Sequence, residues 1–226
     1  MRDIAVIIPA GGTGRRMGGR VPKQFLRLGD QPILLRSVRA FERIPAVQQI
    51  IIAIPREHIE RACRLIRKGR CRRVTAIVEG GRDRQESVRN ALNWITGEPS
   101  LVLIHDAVRP LVSQRVIGDV IAAAERWGAA VAGVPTKDTI KTEGKRGFFA
   151  RTLPRHLLWA VQTPQGFHTH LIVKAHHRAH RAGFVGTDDA SLVERLRIPV
   201  RIVAGDYRNL KITTKDDLRI AKLWMR

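Results

Sequence analysis

Ile4-Ala5-Val6-Ile7-Ile8-Pro9-Ala10-Gly11-Gly12-Thr13-Gly14-Arg15-Arg16-Met17, closed by Pro22-Lys23-Gln24, is the stretch on which the rest of the chain is organised. Five consecutive apolar residues, Ile4 to Ile8, predict a buried strand. The turn that follows is rich in glycine, and Gly11, Gly12 and Gly14 let backbone N–H groups come close to an anion. Arg15, Arg16 and Lys23 then supply cations to neutralise it. This is the outline of a triphosphate cradle, and it differs from two better-known ones. A Walker loop requires Gly-Lys-Ser/Thr after four intervening residues, which is absent, and Met17 stands where a dinucleotide fingerprint places its third glycine.

Composition narrows the class. A chain of 226 residues with 44% apolar content is long enough for a full hydrophobic core. No apolar run approaches the ~20 residues needed to span a bilayer, and the N-terminus lacks the layout of a signal peptide. The expected location is the cytoplasm, with no membrane partner. Cys63 and Cys71 have neither zinc spacing nor an oxidising context that would favour a disulfide. The net charge of +21 attracts polyanions, but aromatics make up only 5% of the chain and do not interleave with the basic residues. A solvated basic surface is therefore expected, rather than a specific nucleic-acid interface.

Strand and helix signals alternate along the chain. Strands are expected at 4–8, 49–54, 73–78, 101–104, 129–134 and 200–203, and helices at 33–43, 56–68, 84–94, 114–127, 168–181, 188–196 and 215–225. Val116, Val120, Ala123 and Trp127 would share one helix face. Continuously apolar strands joined by helices indicate a mostly parallel sheet in a three-layer α/β/α, Rossmann-like sandwich. Such sheets bind ligands beyond the carboxyl ends of their strands. Five polar loops fall there: 9–17, 79–88, 105–110, 135–139 and 209–213.

Those loops carry the candidate residues. Gly80-Gly81 before a helix can present N–H groups, and Ser87 a hydroxyl. Asp106, directly after an apolar strand, can bind Mg²⁺ or a hydroxyl, and Arg109 adds a cation to the same loop. His105 is expected to be structural. His176, His177 and His180 are expected on a solvated basic helix face, because no carboxylate is adjacent in sequence. Between about 137 and 161 the alternation breaks into a β-hairpin carrying Phe148, Phe149, Leu153, Leu157, Leu158 and Trp159, more apolar mass than a hairpin can bury alone. Either it folds back on its own body or it is a dimerisation arm that brings Arg155 to a neighbour. The whole chain, 1–226, is expected to form a single domain with 137–161 as this arm.

The ordered motifs Pro9–Met17, Pro22-Lys23-Gln24, Gly80-Gly81-x-x-Arg84-x-x-Ser87-Val88, His105-Asp106-Ala107-Val108-Arg109-Pro110, Asp138-Thr139-Ile140-Lys141, Thr163-Pro164-Gln165, Thr187-Asp188-Asp189-Ala190 and Asn209-Leu210-Lys211-Ile212-Thr213 resemble the 2-C-methyl-D-erythritol 4-phosphate cytidylyltransferase family of the non-mevalonate isoprenoid pathway. The resemblance spans nearly the whole chain. It implies a nucleotidyltransferase sandwich, a homodimer with interlocking β-arms, and Mg²⁺-dependent joining of CTP to a sugar-alcohol phosphate. It further implies that Arg16 and Lys23 stabilise the transition state, and that Lys211 together with Arg155 of the partner subunit positions the acceptor phosphate. Ala10, Gly11, Gly12, Gly14, Gly81, Ser87 and Asp106 would meet the nucleotide. Arg109, Thr139, Thr163 and Thr187 would surround the acceptor, with Asp106 near the metal. An enzyme of the same fold acting on ribitol 5-phosphate or another alditol phosphate is the nearest alternative; a basic nucleic-acid-binding protein is the remote one.

Overall fold

The computed structural model describes residues 3–12 and 21–225. Seven strands form the central sheet: β1 (Ile4–Pro9), β4 (Val47–Ile54), β5 (Val74–Glu79), β6 (Leu101–Ile104), β7 (Ala129–Pro135), β10 (Trp159–His168) and β11 (Arg201–Ala204). Two small hairpins, β2 (Arg27–Leu28) with β3 (Gln31–Pro32) and β8 (Lys141–Glu143) with β9 (Phe149–Thr152), lie outside it. The helices are α1 (Ile33–Glu42), α2 (Ile59–Lys68), α3 (Arg84–Leu92), α4 (Gln114–Trp127), α5 (Thr169–Arg181), α6 (Asp189–Glu194) and α7 (Lys215–Leu223). The sheet order is β11-β7-β10-β6-β1-β4-β5. Every strand but one runs in the same direction; β10 pairs antiparallel with both β6 and β7.

β1 shows why the sheet is sandwiched. Ile4, Val6 and Ile8 belong to one apolar cluster, while Ala5 and Ile7 belong to the other. Successive side chains point to opposite faces, so a strand apolar at every position is buried on both. α1, α2 and α4 contribute to the first cluster, and α3, α5 and α6 to the second. Side chains fix several helix starts: Asp83 Oδ1 accepts from Glu86 N, Ser113 Oγ from Val116 N, and Asp188 Oδ1 from Ser191 N. Thr214 and Asp217 form a reciprocal capping box on α7.

Two expectations are corrected. The sequence reading places no strand at 159–168, yet β10 fills the centre of the sheet. It is hidden because Gln162, Thr163, Pro164, Gln165 and Gly166 interrupt the apolar signal. Proline is excluded from regular central strands; Pro164 is accommodated where the β10–β7 register is broken, between Val161 and Gln165. Gly166 is closely packed: a Cβ there would lie 3.0 Å from both Leu103 and Val120. Of the residues expected to share one face of α4, Val116 and Val120 are buried, while Trp127 at its end is 52% exposed, with the Arg126 guanidinium over its ring. The first turn of the 56–68 segment is a 3-10 turn, Arg56–His58, rather than α-helix.

Candidate active site

The first strand ends at the glycine loop, and two contacts fix what lies beside it. The Gln24 side-chain amide donates to Ala10 O at 2.8 Å, which draws the 22–24 segment against the loop. Lys23 therefore sits over Gly12, where an added Cβ would come within 2.9 Å of Lys23 Cε. After β5, Ser87 Oγ accepts from Gly81 N at 3.0 Å and donates to Asp83 O at 2.7 Å. Ser87 is thus a buried brace for the Gly80-Gly81 turn. A Cβ on Gly81 would overlap Glu86 Cγ at 2.2 Å, so only glycine fits. These segments line a hollow of about 220 Å³ that includes Ala10, Gly11, Gly12, Lys23, Gly81 and Ser87.

A second hollow of about 470 Å³ opens on the other side, lined among others by Arg109, Thr163, Gln165, Thr187 and Asp188. The two share three residues: Arg84, Asp106 and Lys211. At this junction Asp106 Oδ1 accepts from Arg84 Nε at 3.0 Å, and Oδ2 pairs with Lys211 Nζ at 2.7 Å. Arg109 Nε stands 3.7 Å from the same oxygen. Lys211 is brought there by Ile212 N donating to Val108 O, which straps the 209–212 segment to the loop after β6. Burial alone would raise the Asp106 pKa; Arg84, then Lys211 and Arg109, outweigh it and hold the carboxyl well below the usual carboxylate range.

His105 is fully buried, with both ring nitrogens engaged. Its Nε2 faces Arg109 O at 3.1 Å and its Nδ1 faces Thr163 Oγ1 at 3.0 Å. A carbonyl can only accept, so Nε2 carries the proton and Nδ1 accepts from Thr163, whose oxygen accepts in turn from Asp106 N at 3.0 Å. Complete burial pushes the imidazole down to about 4, against partial opposition from the Arg109 carbonyl and Asp106. The Thr163 hydroxyl is committed to this chain of bonds and acts by locating Asp106.

Lys23, Lys211, Ala10, Gly11, Gly12, Gly81, Ser87, Asp106, Arg109, Thr163 and Thr187 are all brought to the two hollows. Arg16 and Gly14 lie outside the described residues. Thr139 and Arg155 line neither hollow; both are exposed on the hairpin segment, where Arg155 Nη1 donates to Lys137 O at 2.8 Å. His176 corrects the expected solvated face: it is buried, with Nε2 3.0 Å from Asp189 Oδ1, while His177 and His180 are exposed. The missing carboxylate is 13 residues away in sequence, beyond the reach of a helix-spacing argument. Arg84 is visible as a motif member, but its two-sided pairing with Asp106 and Asp189 has no local sequence signal.

Comparison with known proteins agrees with this fold. The family model described as 2-C-methyl-D-erythritol 4-phosphate cytidylyltransferase matches residues 4–226. The chain is 47% identical to the protein of that name from Symbiobacterium thermophilum, over 97% of this chain and 92% of that one. It is 44% identical to the one from Geobacillus kaustophilus, over 96% and 94%. A crystal structure of the Thermus thermophilus enzyme of that name superposes with a TM-score of 0.81 at 35% identity, covering 98% of both chains. The 4-diphosphocytidyl-2C-methyl-D-erythritol synthase from Anaerococcus prevotii gives 0.86 at 27%, covering 99% and 98%. With the family model, the sequence relatives and the fold in agreement over nearly the whole length, this chain belongs to the 2-C-methyl-D-erythritol 4-phosphate cytidylyltransferase family.

Proposed function

We propose that the chain joins CTP and 2-C-methyl-D-erythritol 4-phosphate to give 4-diphosphocytidyl-2-C-methyl-D-erythritol and pyrophosphate. One observation carries the reading: the hollow under the glycine loop and the larger hollow meet at Arg84, Asp106 and Lys211. The glycine-loop side takes the nucleotide and the larger side the sugar phosphate. Their phosphates meet at the junction. A phosphate monoester is already a nucleophile at neutral pH, which suits a site whose buried histidine is held neutral and fully bonded. The barrier lies in bringing two polyanions together and in steadying charge on the α-phosphate and on departing pyrophosphate. Positioned cations meet that need. Lys23 and Arg16 serve the triphosphate, Lys211 and Arg109 the incoming phosphate.

Magnesium fits this site at one point. Among the described residues no three His, Cys, Asp or Glu side chains gather as a cage. Mg²⁺ commonly takes one or two carboxylates and completes its shell with substrate phosphates and water. Asp106, ionised and shared by both hollows, offers that carboxylate once triphosphate competes for Arg84 and Lys211. When bound there, the ion supplies positive charge to the phosphate oxygens.

The chain acts as one domain, 1–226, working as a homodimer. Phe148, Phe149 and Leu157 of the arm are 73%, 75% and 67% exposed, the kind of apolar surface that a second copy covers. Arg155, outside both hollows of its own chain, then serves the partner's acceptor phosphate, and Thr139 accompanies it. The location is the cytoplasm; no helix among the described residues is long and apolar enough to cross a membrane. Pyrophosphate release measured with CTP, Mg²⁺ and a panel of sugar and alditol phosphates tests the activity. Methylerythritol phosphate should be preferred. Preference for ribitol 5-phosphate, or no release with any acceptor, would overturn the reading.

A further inference from the structure

Behind the junction lies a second row of buried polar groups, of which Asp189 and His176 line neither hollow. Arg84 Nη1 donates to Asp189 Oδ2 at 2.6 Å, opposite its bond to Asp106. The other oxygen, Asp189 Oδ1, is 3.0 Å from His176 Nε2. The backbone N–H groups of Asp189 and Ala190 both donate to Gln165 Oε1 at 3.1 Å, which pins the start of α6 to β10. Asp189 and His176 side chains are each 1% exposed, and neither lines a hollow, whereas Arg84 lines both. Arg84 Nη2 is buried, with no hydrogen-bond partner among the described residues. The guanidinium is thus anchored through Nε and Nη1 while Nη2 makes no bond among the described residues.

We propose that Asp189 and His176 are positioning residues for the transfer, fixing Arg84, which lines both hollows, so that its guanidinium faces a phosphoryl oxygen at their junction. The inference rests on the reading of the site as a nucleotidyltransferase. Its logic is preorganisation. A guanidinium on a long side chain has many rotamers, and anchoring both its sides removes that freedom before substrate binds. One carboxylate anchor, Asp106, faces the reaction. The other, Asp189, is out of reach of substrate and is itself oriented by the imidazole and by the Gln165 amide.

The test is a double-mutant cycle read in kcat and KM of pyrophosphate release, with CTP and methylerythritol phosphate. Asp189→Asn should lower kcat by about 10- to 100-fold, the loss typical of one charge-assisted hydrogen bond, with KM for CTP little changed. In an Arg84→Ala background the same change should cost almost nothing further, because the residue through which it acts is gone. An equal loss in both backgrounds would overturn the proposal and leave Asp189 as a plain core anchor. His176→Phe should reproduce part of the kcat loss and His176→Gln, which keeps a donor, should recover it. If Asp189→Asn does not fold, as judged by thermal melts, the two histidine variants decide: equal activity in both overturns the proposal. Wild-type enzyme lacking activity with every acceptor would instead defeat the underlying reading.

Discussion

The strand-end site and the β8–β9 arm are built on opposite plans. In the site, a carboxylate nearly buried among three cations is matched from every side by groups of its own chain: Arg84, Lys211 and Arg109. In the arm, large apolar side chains stand in solvent, and β8 and β9 are exposed at every position. The first region is preorganised and self-sufficient in its ionic bonds; the second has a hydrophobic surface that nothing among the described residues covers. An isolated two-stranded hairpin is at best marginally stable in water. The contrast separates what the described chain satisfies by itself, the electrostatic cradle, from an apolar surface it leaves uncovered.

The sharpest way to break that contrast is to remove the charge at its centre. Asp106→Ala leaves Arg84 and Arg109 buried without their shared counter-ion, so it should destabilise the fold by about 3–5 kcal/mol, read by urea denaturation. A variant as stable as wild type would show that the site is not braced through this residue. Next come the phosphate cations. Lys23→Ala, and Arg16→Ala by family resemblance, should each lower turnover by roughly 10²–10³, or about 3–4 kcal/mol, with the melting temperature held. Near-normal turnover in either would remove that residue from the mechanism.

Acid sharpens the comparison, because the arm carries no buried titrating group. His105 has its pKa lowered to about 4, whereas the unfolded chain takes up that proton near 6.5. Between these values the unfolded state binds more protons, so stability falls as pH drops from about 6.5 to 4, by up to ~3 kcal/mol. Asp106 acts further down. Its depressed pKa contributes stability above the ordinary carboxylate range that is lost as pH falls toward its folded value. Stability measured against pH should show both, and His105→Gln should flatten the upper portion only. A wild-type profile that is flat between pH 6.5 and 4 would contradict the buried neutral imidazole.

The smallest effect on a single chain is expected in the arm. Phe149→Asp should leave monomer stability within about 0.5 kcal/mol, as for other exposed positions, while shifting light-scattering mass from dimer to monomer. Mixing Lys23→Ala with Arg155→Ala subunits should restore about one quarter of wild-type activity through random pairing into hybrid dimers with one intact site. No recovery on mixing would confine Arg155 to its own chain.

Much of this architecture was legible in the sequence because parallel strands buried on both faces announce themselves as unbroken apolar runs, as β1 and β6 do. The loops at their carboxyl ends could be located by the same rule, and Lys23, Asp106 and Lys211 do converge there. β10 was illegible because its composition is set by the site: Gln162, Thr163 and Gln165 spend their side chains on Asp206, His105 and Asp188 rather than on the core. The His176–Asp189–Arg84 chain was illegible for another reason. Its members stand on α5, α6 and α3, and only tertiary packing makes them neighbours.

β10 has one consequence for anyone who would re-engineer this molecule. The ten residues from Trp159 leave the foot of the arm, pass along the larger hollow at Thr163 and Gln165, and hand the chain to α5. Arm and sheet are therefore joined through a single strand. A swap of arms between relatives has to splice upstream of Trp159; a splice inside the strand would exchange the middle of the sheet along with the arm.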